Sequence, residues 1–278
     1  MLDIKPYHIQ SIIKDAGFGG TCPIIVKAND KEYVLKTRED GTNPKDLGVF
    51  NEAFAYQLLD YLGINIAPQE IAYLFIDDDF IEMAQIAYDE DIIQEESLQN
   101  IKESEGFNLG VEYLHYAMEP LSEVINNDRF IKDIVHIDNY IMNCDRSRGN
   151  INILQDKADQ RKYYAIDFGN ALADAICYEK IQNGEADIFV TGAYSHCNVT
   201  LSGRYILKNE TQRLVKRGRK IKEDIATIRG KLTDIVNTFP PDWEPLNYKD
   251  DIIDIIATRL KSNKIFKVDD DSKCECLY

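Results

Sequence analysis

Two stretches of the sequence decide the fold, and each contains an aspartate on a turn. The first reads Asn143-Cys144-Asp145-Arg146-Ser147-Arg148-Gly149-Asn150, and the second reads Ile166-Asp167-Phe168-Gly169. Asp145 and Asn150 lie on a polar loop that leads into a predicted strand, Ile151–Leu154, and Asp167 follows a second predicted strand, Tyr163–Ile166. Because two paired strands return the chain to the same edge, Asn150 and Asp167 can face one metal ion although they are 17 positions apart.

These residue types are the ones that phosphoryl transfer needs. One carboxylate must lie near the attacking hydroxyl, while an amide oxygen and a second carboxylate hold magnesium against a triphosphate. The spacing from Asp145 to Asn150 alone occurs often by chance, whereas Asp-Phe-Gly after an apolar strand is moderately specific. Together, in this order and with strands between them, the two motifs indicate an ATP-dependent phosphotransferase.

A lysine and a glutamate in the N-terminal third could complete such a site. Lys36 ends a predicted strand, and Glu52 follows sixteen residues later in a predicted helix near Asp46–Leu62. Kinases orient the α- and β-phosphates with a lysine that is held by a helical glutamate. Alternatively, Lys36 is a solvated residue at a strand end and Glu52 stabilises the helix dipole.

A glycine-rich stretch, Gly17-Phe18-Gly19-Gly20-Thr21-Cys22-Pro23, comes just before the first predicted strand. Glycines allow backbone N–H groups to approach phosphate oxygens closely. The stretch contains neither G-x-G-x-x-G nor a Walker A motif, so it is either a phosphate-binding loop or an ordinary turn.

The sequence resembles the HipA-like kinases, in the branch of small stand-alone domains, and more distantly the phosphoinositide kinases and atypical protein kinases. The resemblance covers about residues 17–172 and rests on residues 19–36, 51–64, and the two stretches around Asp145 and Asp167. Many relatives carry an aromatic residue or histidine and then a proline where this chain has Ser147 and Arg148.

The resemblance implies a role for each matching residue. Asp145 would be the catalytic base, and Asn150 and Asp167 would bind Mg²⁺. Lys36 would contact the ATP phosphates, and Glu52 would hold Lys36. The loop formed by Gly19, Gly20 and Thr21 would cover the phosphates.

We therefore expect an α+β, two-lobed protein-kinase-like fold. A small β-rich N-terminal ATP-binding lobe would span residues 1–118, and a larger helical catalytic lobe would span residues 119–278. The expected activity is Mg²⁺-dependent transfer of the γ-phosphate of ATP to a hydroxyl, with the resemblance favouring serine or threonine on a protein. Open alternatives are a lipid or small-molecule kinase and a catalytically silent nucleotide sensor.

Composition excludes several other classes of protein. The chain has 278 residues and a net charge of −16, which disfavours general nucleic-acid binding because phosphate backbones are repelled. We find no apolar run of about 18 residues that would predict a membrane span and no signal peptide. The six cysteines are scattered, apart from a Cys-x-Cys at the end, which favours a reducing cytoplasm.

Periodicity predicts the remaining elements. A hairpin should join Ile24–Ala28 to Glu32–Lys36 through Asn29 and Asp30. Two more strands should flank an acidic turn at Asp77-Asp78-Asp79, namely Glu70–Ile76 and Phe80–Ala87. Helices are predicted at Leu121–Asn127, Phe130–Met142, Asn209–Arg229, Lys231–Phe239 and Lys249–Leu260.

Overall fold

The structure is a computed structural model, and it describes residues 2–17, 21–68, 70–120, 125, 127–143, 145–146, 150–172, 174–185 and 220–262. The strands are β1 (Lys5–Asp15), β2 (Ile24–Ala28), β3 (Lys31–Lys36), β4 (Ile71–Ile76), β5 (Gly106–Glu112), β6 (Ala117–Met118), β7 (Ile153–Asp156) and β8 (Tyr163–Ala165). The helices are α1 (Leu47–Tyr61), α2 (Asp78–Asp89), α3 (Glu95–Lys102), α4 (Asp128–Ile141), α5 (Asp174–Gln182), α6 (Ile225–Val236) and α7 (Lys249–Lys261), with a 3₁₀ turn at Glu244–Tyr248.

The N-terminal part is a closed five-stranded barrel in the order β1-β2-β3-β5-β4. The strands pair antiparallel except where β1 closes the barrel by running parallel to β4. The predicted hairpin between β2 and β3 is confirmed, and Asn29 and Asp30 have φ values of 47° and 59°. Positive φ at both turn positions matches the twist of the flanking strands, which is why an Asn-Asp pair suits this turn.

The predicted strand Phe80–Ala87 is wrong, because these residues belong to helix α2. Asp77 is not part of a turn between strands; its side chain accepts a hydrogen bond of 3.0 Å from the Phe80 N–H and caps the helix. Phe80, Ala84 and Ala87 then fall on one face, which packs on the barrel interior. The acidic triplet is therefore a helix start.

Other element boundaries also differ from those predicted. α6 continues through Gly230, where the sequence predicted a break between two helices. β1, β5, β6, α3 and α5 were not assigned from the sequence. The predicted helix Leu121–Asn127 lies mostly outside the described residues, and Asn127 is the N-cap of α4.

The C-terminal part is mainly helical and shares one hydrophobic core with the outer face of the barrel. Side chains of α4, α6 and α7 contribute to this core, and a three-stranded sheet in the order β6-β7-β8 lies beside them. None of the helices in the described part of the chain is both long and apolar enough to cross a bilayer.

Helix α1 connects the two parts because it is buried on nearly all sides. Phe50 packs edge-to-face on Phe239 of the C-terminal part, with ring centroids 5.4 Å apart. Gly63 follows the helix with a φ of +61°, and this left-handed residue ends α1 where the sequence predicted. α1 thus carries Glu52 into the region between the barrel and the C-terminal helices.

Two glycines provide a matched test of this packing. A Cβ at Gly110 in β5 would lie 2.6 Å from Leu74 Cδ1 and 3.2 Å from Tyr33 Cβ inside the barrel, whereas a Cβ at Gly230 in α6 would contact nothing within 4 Å. Gly110→Ala should therefore lower the free energy of unfolding by about 1–3 kcal/mol. Gly230→Ala should raise it by about 1 kcal/mol, since alanine favours the helix. Urea unfolding measures both, and shifts of the same sign would contradict this packing.

Candidate active site

The structure brings Lys36 and Asp167 together from opposite ends of the predicted site. The Lys36 Nζ donates to Asp167 Oδ1 at 2.9 Å, linking the end of β3 to the turn after β8. Burial lowers the pKa of Lys36, but the negative charges of Asp167 and Glu52 outweigh burial and raise the pKa overall. Burial raises the pKa of Asp167, but Lys36 more than offsets it and the net pKa is lowered. Both groups are therefore charged at neutral pH.

Glu52 also lies in the site, but it does not form the predicted hydrogen-bonded pair with Lys36. Its Oε2 accepts a hydrogen bond from the backbone N–H of Phe168, so α1 is tied to the residue after Asp167. Its Oε1 is buried without a hydrogen-bond partner among the described residues. Burial raises the pKa of Glu52 to about 7, against the opposing effect of Lys36.

Asp145 is held close to the same turn through Asn152. The Asn152 side-chain amide donates to Asp145 Oδ2 at 3.0 Å, and the Asn152 carbonyl accepts from the Ile166 N–H at 3.0 Å. The Asp145 N–H donates to Asn143 Oδ1 at 3.2 Å, which fixes the start of the loop. The Asp145 carboxylate is thus linked through Asn152 to Ile166, which lies between the end of β8 and Asp167.

Arg146 ties the two motifs together, although the sequence analysis gave it no role. It is buried, and its Nε donates to Asp138 Oδ2 in α4 at 3.0 Å while its guanidinium lies 5.2 Å from the centre of the Phe168 ring. Its Nη1 donates to three backbone carbonyls, those of Ile151, Asn152 and Ile166. Burial raises the pKa of Asp138, and the charge of Arg146 opposes that effect. An aspartate within an otherwise apolar helix face was the sequence signal for this pair.

Asn51 is a second residue that the sequence analysis missed. Its side-chain amide is buried and donates to the Gly169 and Ala171 carbonyls, both at 2.8 Å. Asn51 and Glu52 therefore hold the backbone on the C-terminal side of Asp167 from adjacent positions of α1. The signal was two consecutive polar residues inside an apolar helix.

The glycine-rich loop is only partly described. Gly19 and Gly20 lie outside the described residues, as do Ser147 and Arg148. Thr21 is described and half-buried, and its carbonyl accepts a hydrogen bond of 3.3 Å from the Asn100 side chain. A phosphate-covering role for this loop stays a prediction.

The chemistry of the predicted ligands Asn150 and Asp167 suits a magnesium ion that is shared with a nucleotide. Asp167 supplies a charged carboxylate, and Asn150, which is exposed at the end of its loop, supplies an amide oxygen. Among the described residues, no group of three His, Cys, Asp or Glu side chains could hold a metal alone. Mg²⁺ is commonly bound by one or two carboxylates together with substrate phosphates, so this donor set fits it.

Comparison with known proteins identifies the family. The model of the HipA-like kinase family matches residues 9–267. The fold is similar to the crystal structure of the Helicobacter pylori proinflammatory kinase CtkA, with a TM-score of 0.55, 12% sequence identity, and coverage of 95% of this chain and 96% of that chain. No curated protein matches the sequence significantly. With its sequence matched over most of its length, this chain belongs to the HipA-like kinase family, as the resemblance predicted.

Proposed function

We propose that this protein is a Mg²⁺-dependent ATP phosphotransferase that acts on a hydroxyl. More specifically, we propose that it is a serine/threonine-protein kinase. The observation that carries the proposal is the 2.9 Å ion pair between Lys36 and Asp167. The resemblance to the family implies that Lys36 contacts the nucleotide and that Asp167 binds the metal. Asp145 is connected to the same turn through Asn152. Family membership supports the kinase class, and the acceptor is our inference.

In the proposed mechanism, Asp145 takes the proton of the attacking hydroxyl. Its Oδ2 is held by the Asn152 amide, so the carboxylate has a fixed orientation and Oδ1 can face the acceptor. Asn150 and Asp167 would hold magnesium, which supplies positive charge for the β- and γ-phosphates. Because the protein's dipoles and charges are in place beforehand, little reorganisation is needed when charge develops.

Lys36 and Glu52 are proposed to bind and orient the nucleotide phosphates. When Asp167 serves as a metal ligand, Lys36 needs another anionic partner in addition to the phosphates. The unpartnered Oε1 of Glu52 provides one, and Glu52 already raises the pKa of Lys36. The kinase-type pair between lysine and helical glutamate is therefore proposed for the nucleotide-bound state.

The fold suggests where the rest of ATP lies. We propose that the barrel is the ATP-binding lobe and the helical part is the catalytic lobe, with residues 1–118 and 119–278 as their limits. The chain leaving β5 at Glu112 joins the two parts and would form the adenine-binding hinge. The strand ends that flank the glycine-rich stretch, Asp15 of β1 and Ile24 of β2, lie at the end of the barrel where β3 ends with Lys36. We place the protein in the cytoplasm, in keeping with its scattered cysteines.

The decisive experiment incubates the purified protein with γ-labelled ATP and Mg²⁺. Label on the protein or on an added hydroxyl acceptor, lost in Asp145→Asn and on chelation of magnesium, supports the kinase. Tight ATP binding without transfer would contradict it and favour the nucleotide sensor. Phosphoproteomics of cells that express wild type or Asp145→Asn would then identify the acceptor residue type.

A further inference from the structure

A short C-terminal segment packs against the barrel and the start of α1. We call residues 238–244 the clamp segment. The Tyr73 hydroxyl of β4 donates to the Thr238 carbonyl at 3.1 Å, and the Trp243 indole N–H donates to the Phe107 carbonyl of β5 at 3.0 Å. Trp243 is buried, and its ring packs on Tyr73 with centroids 5.8 Å apart. These contacts attach the C-terminal part to two strands of the barrel.

Arg38 lies where the clamp segment, β3 and α1 meet. Its Nε and Nη2 donate to the Asp46 carboxylate at 2.5 and 3.2 Å, and its Nη1 donates to the Asp242 carboxylate of the clamp segment. Nη1 also donates to the Glu105 carbonyl at 3.2 Å. The Arg38 side chain is only 9% exposed, and the Asp46 side chain is 3% exposed. A buried guanidinium that donates to several acceptors at once fixes the positions of those acceptors relative to one another.

The surrounding backbone is built around this guanidinium. Gly106 has a φ of +105°, and a Cβ there would lie 2.9 Å from Arg38 Nη1, so only glycine leaves room for the side chain. The Asp46 carboxylate additionally accepts the Glu244 N–H at 3.0 Å. Asp46 itself has a φ of 68° and directly precedes α1. The start of α1 is thus held by both Arg38 and the clamp segment.

We propose that Arg38 is a positioning residue for the phosphate-binding groups. It follows Lys36 by two residues, and its partner Asp46 precedes Glu52 by six. Fixing Arg38 to the clamp segment therefore sets β3 and α1 relative to the C-terminal part that carries Asp167. Lys36 and Glu52 are held facing the Asp167 turn before any nucleotide binds. The expected effect of Arg38 on catalysis rests on the proposed function, whereas its effect on the positions of β3 and α1 does not.

Hydrogen exchange tests the positioning without relying on activity. The readout is the peptide 163–172, which contains the Phe168 N–H that Glu52 holds. Arg38→Lys keeps the charge beside Asp46 but cannot reach all acceptors, so exchange should accelerate by about tenfold. Asp242→Ala removes one partner with a half-exposed side chain, so we expect a smaller, few-fold acceleration.

Asp254→Ala is the matched control, because it breaks the exposed ion pair with Arg229 between α6 and α7. This variant should leave the exchange of peptide 163–172 unchanged.

Kinetics separate this proposal from the proposed function. If wild type transfers phosphate, Arg38→Lys should lower kcat by about tenfold. A control variant that has the same melting temperature as Arg38→Lys should not lower kcat. If no variant transfers phosphate but exchange changes as expected, the proposed function fails and the positioning role stands. Unchanged exchange in both Arg38→Lys and Asp242→Ala would overturn the positioning role. Asp242→Ala keeps the test valid if Arg38→Lys fails to fold, because Asp242 is 52% exposed.

Discussion

Asp145→Asn should reduce phosphotransfer by about 10²- to 10⁴-fold, the range over which a positioned general base acts. Asparagine cannot accept the proton of the attacking hydroxyl, yet it has nearly the same shape. Its side-chain oxygen can still accept the hydrogen bond from Asn152, which is 3.0 Å from the native carboxylate. We therefore expect the fold and the affinity for ATP to change little, so the loss should fall on kcat.

Single-turnover kinetics and calorimetric ATP binding measure the two quantities separately. Asp77→Asn is a suitable control because it makes the same chemical change at the N-cap of α2, where asparagine caps as well as aspartate. This control should retain wild-type turnover. Full turnover in Asp145→Asn would remove Asp145 from the mechanism.

Asp167→Asn should abolish turnover and also weaken Mg²⁺–ATP binding, by more than about tenfold. The substitution removes the charge that pairs with Lys36 at 2.9 Å and the carboxylate proposed as a metal ligand. The pKa of Lys36 should fall in this variant, since Asp167 is the largest contributor that raises it. The loss of ATP affinity should thus be larger than in Asp145→Asn.

Titrating Mg²⁺ at fixed ATP distinguishes the two variants. Asp167→Asn should need more Mg²⁺ to reach half-saturation, whereas Asp145→Asn should follow the wild-type curve. Equal Mg²⁺ dependence in both variants would show that Asp167 does not bind the metal. Retained turnover in both would refute the assignment of this site as a kinase centre.

Short motifs in the sequence proposed the residues of the candidate site. Asp145, Asp167 and Lys36 were selected because their spacing and flanking strands follow from the order of the chain. Their pairing was not predictable, since Lys36 and Asp167 are 131 positions apart and either Asp167 or Glu52 could satisfy the lysine. That choice depends on three-dimensional distances between charges.

The errors in the fold have a similar cause. The segment Phe80–Ala87 contains residues that suit either strand or helix, and the N-cap contact of Asp77 decides between them. β1 was missed because its side chains are mostly exposed or half-buried, and its partner β4 is distant in the chain. Arg146 was missed because its role depends on burial, which the local sequence does not reveal.

The separation of Arg38 from Asp242 has a consequence for the timing of synthesis. The two residues are 204 positions apart, so a ribosome must add Asp242 long after it has added Arg38. At about 5–20 residues per second, this interval is on the order of ten seconds or more. During that period a nascent chain has β3 with Lys36 but lacks the anchor that Asp242 provides. The contact that fixes Arg38 to the clamp segment therefore forms only near the end of synthesis of the described residues.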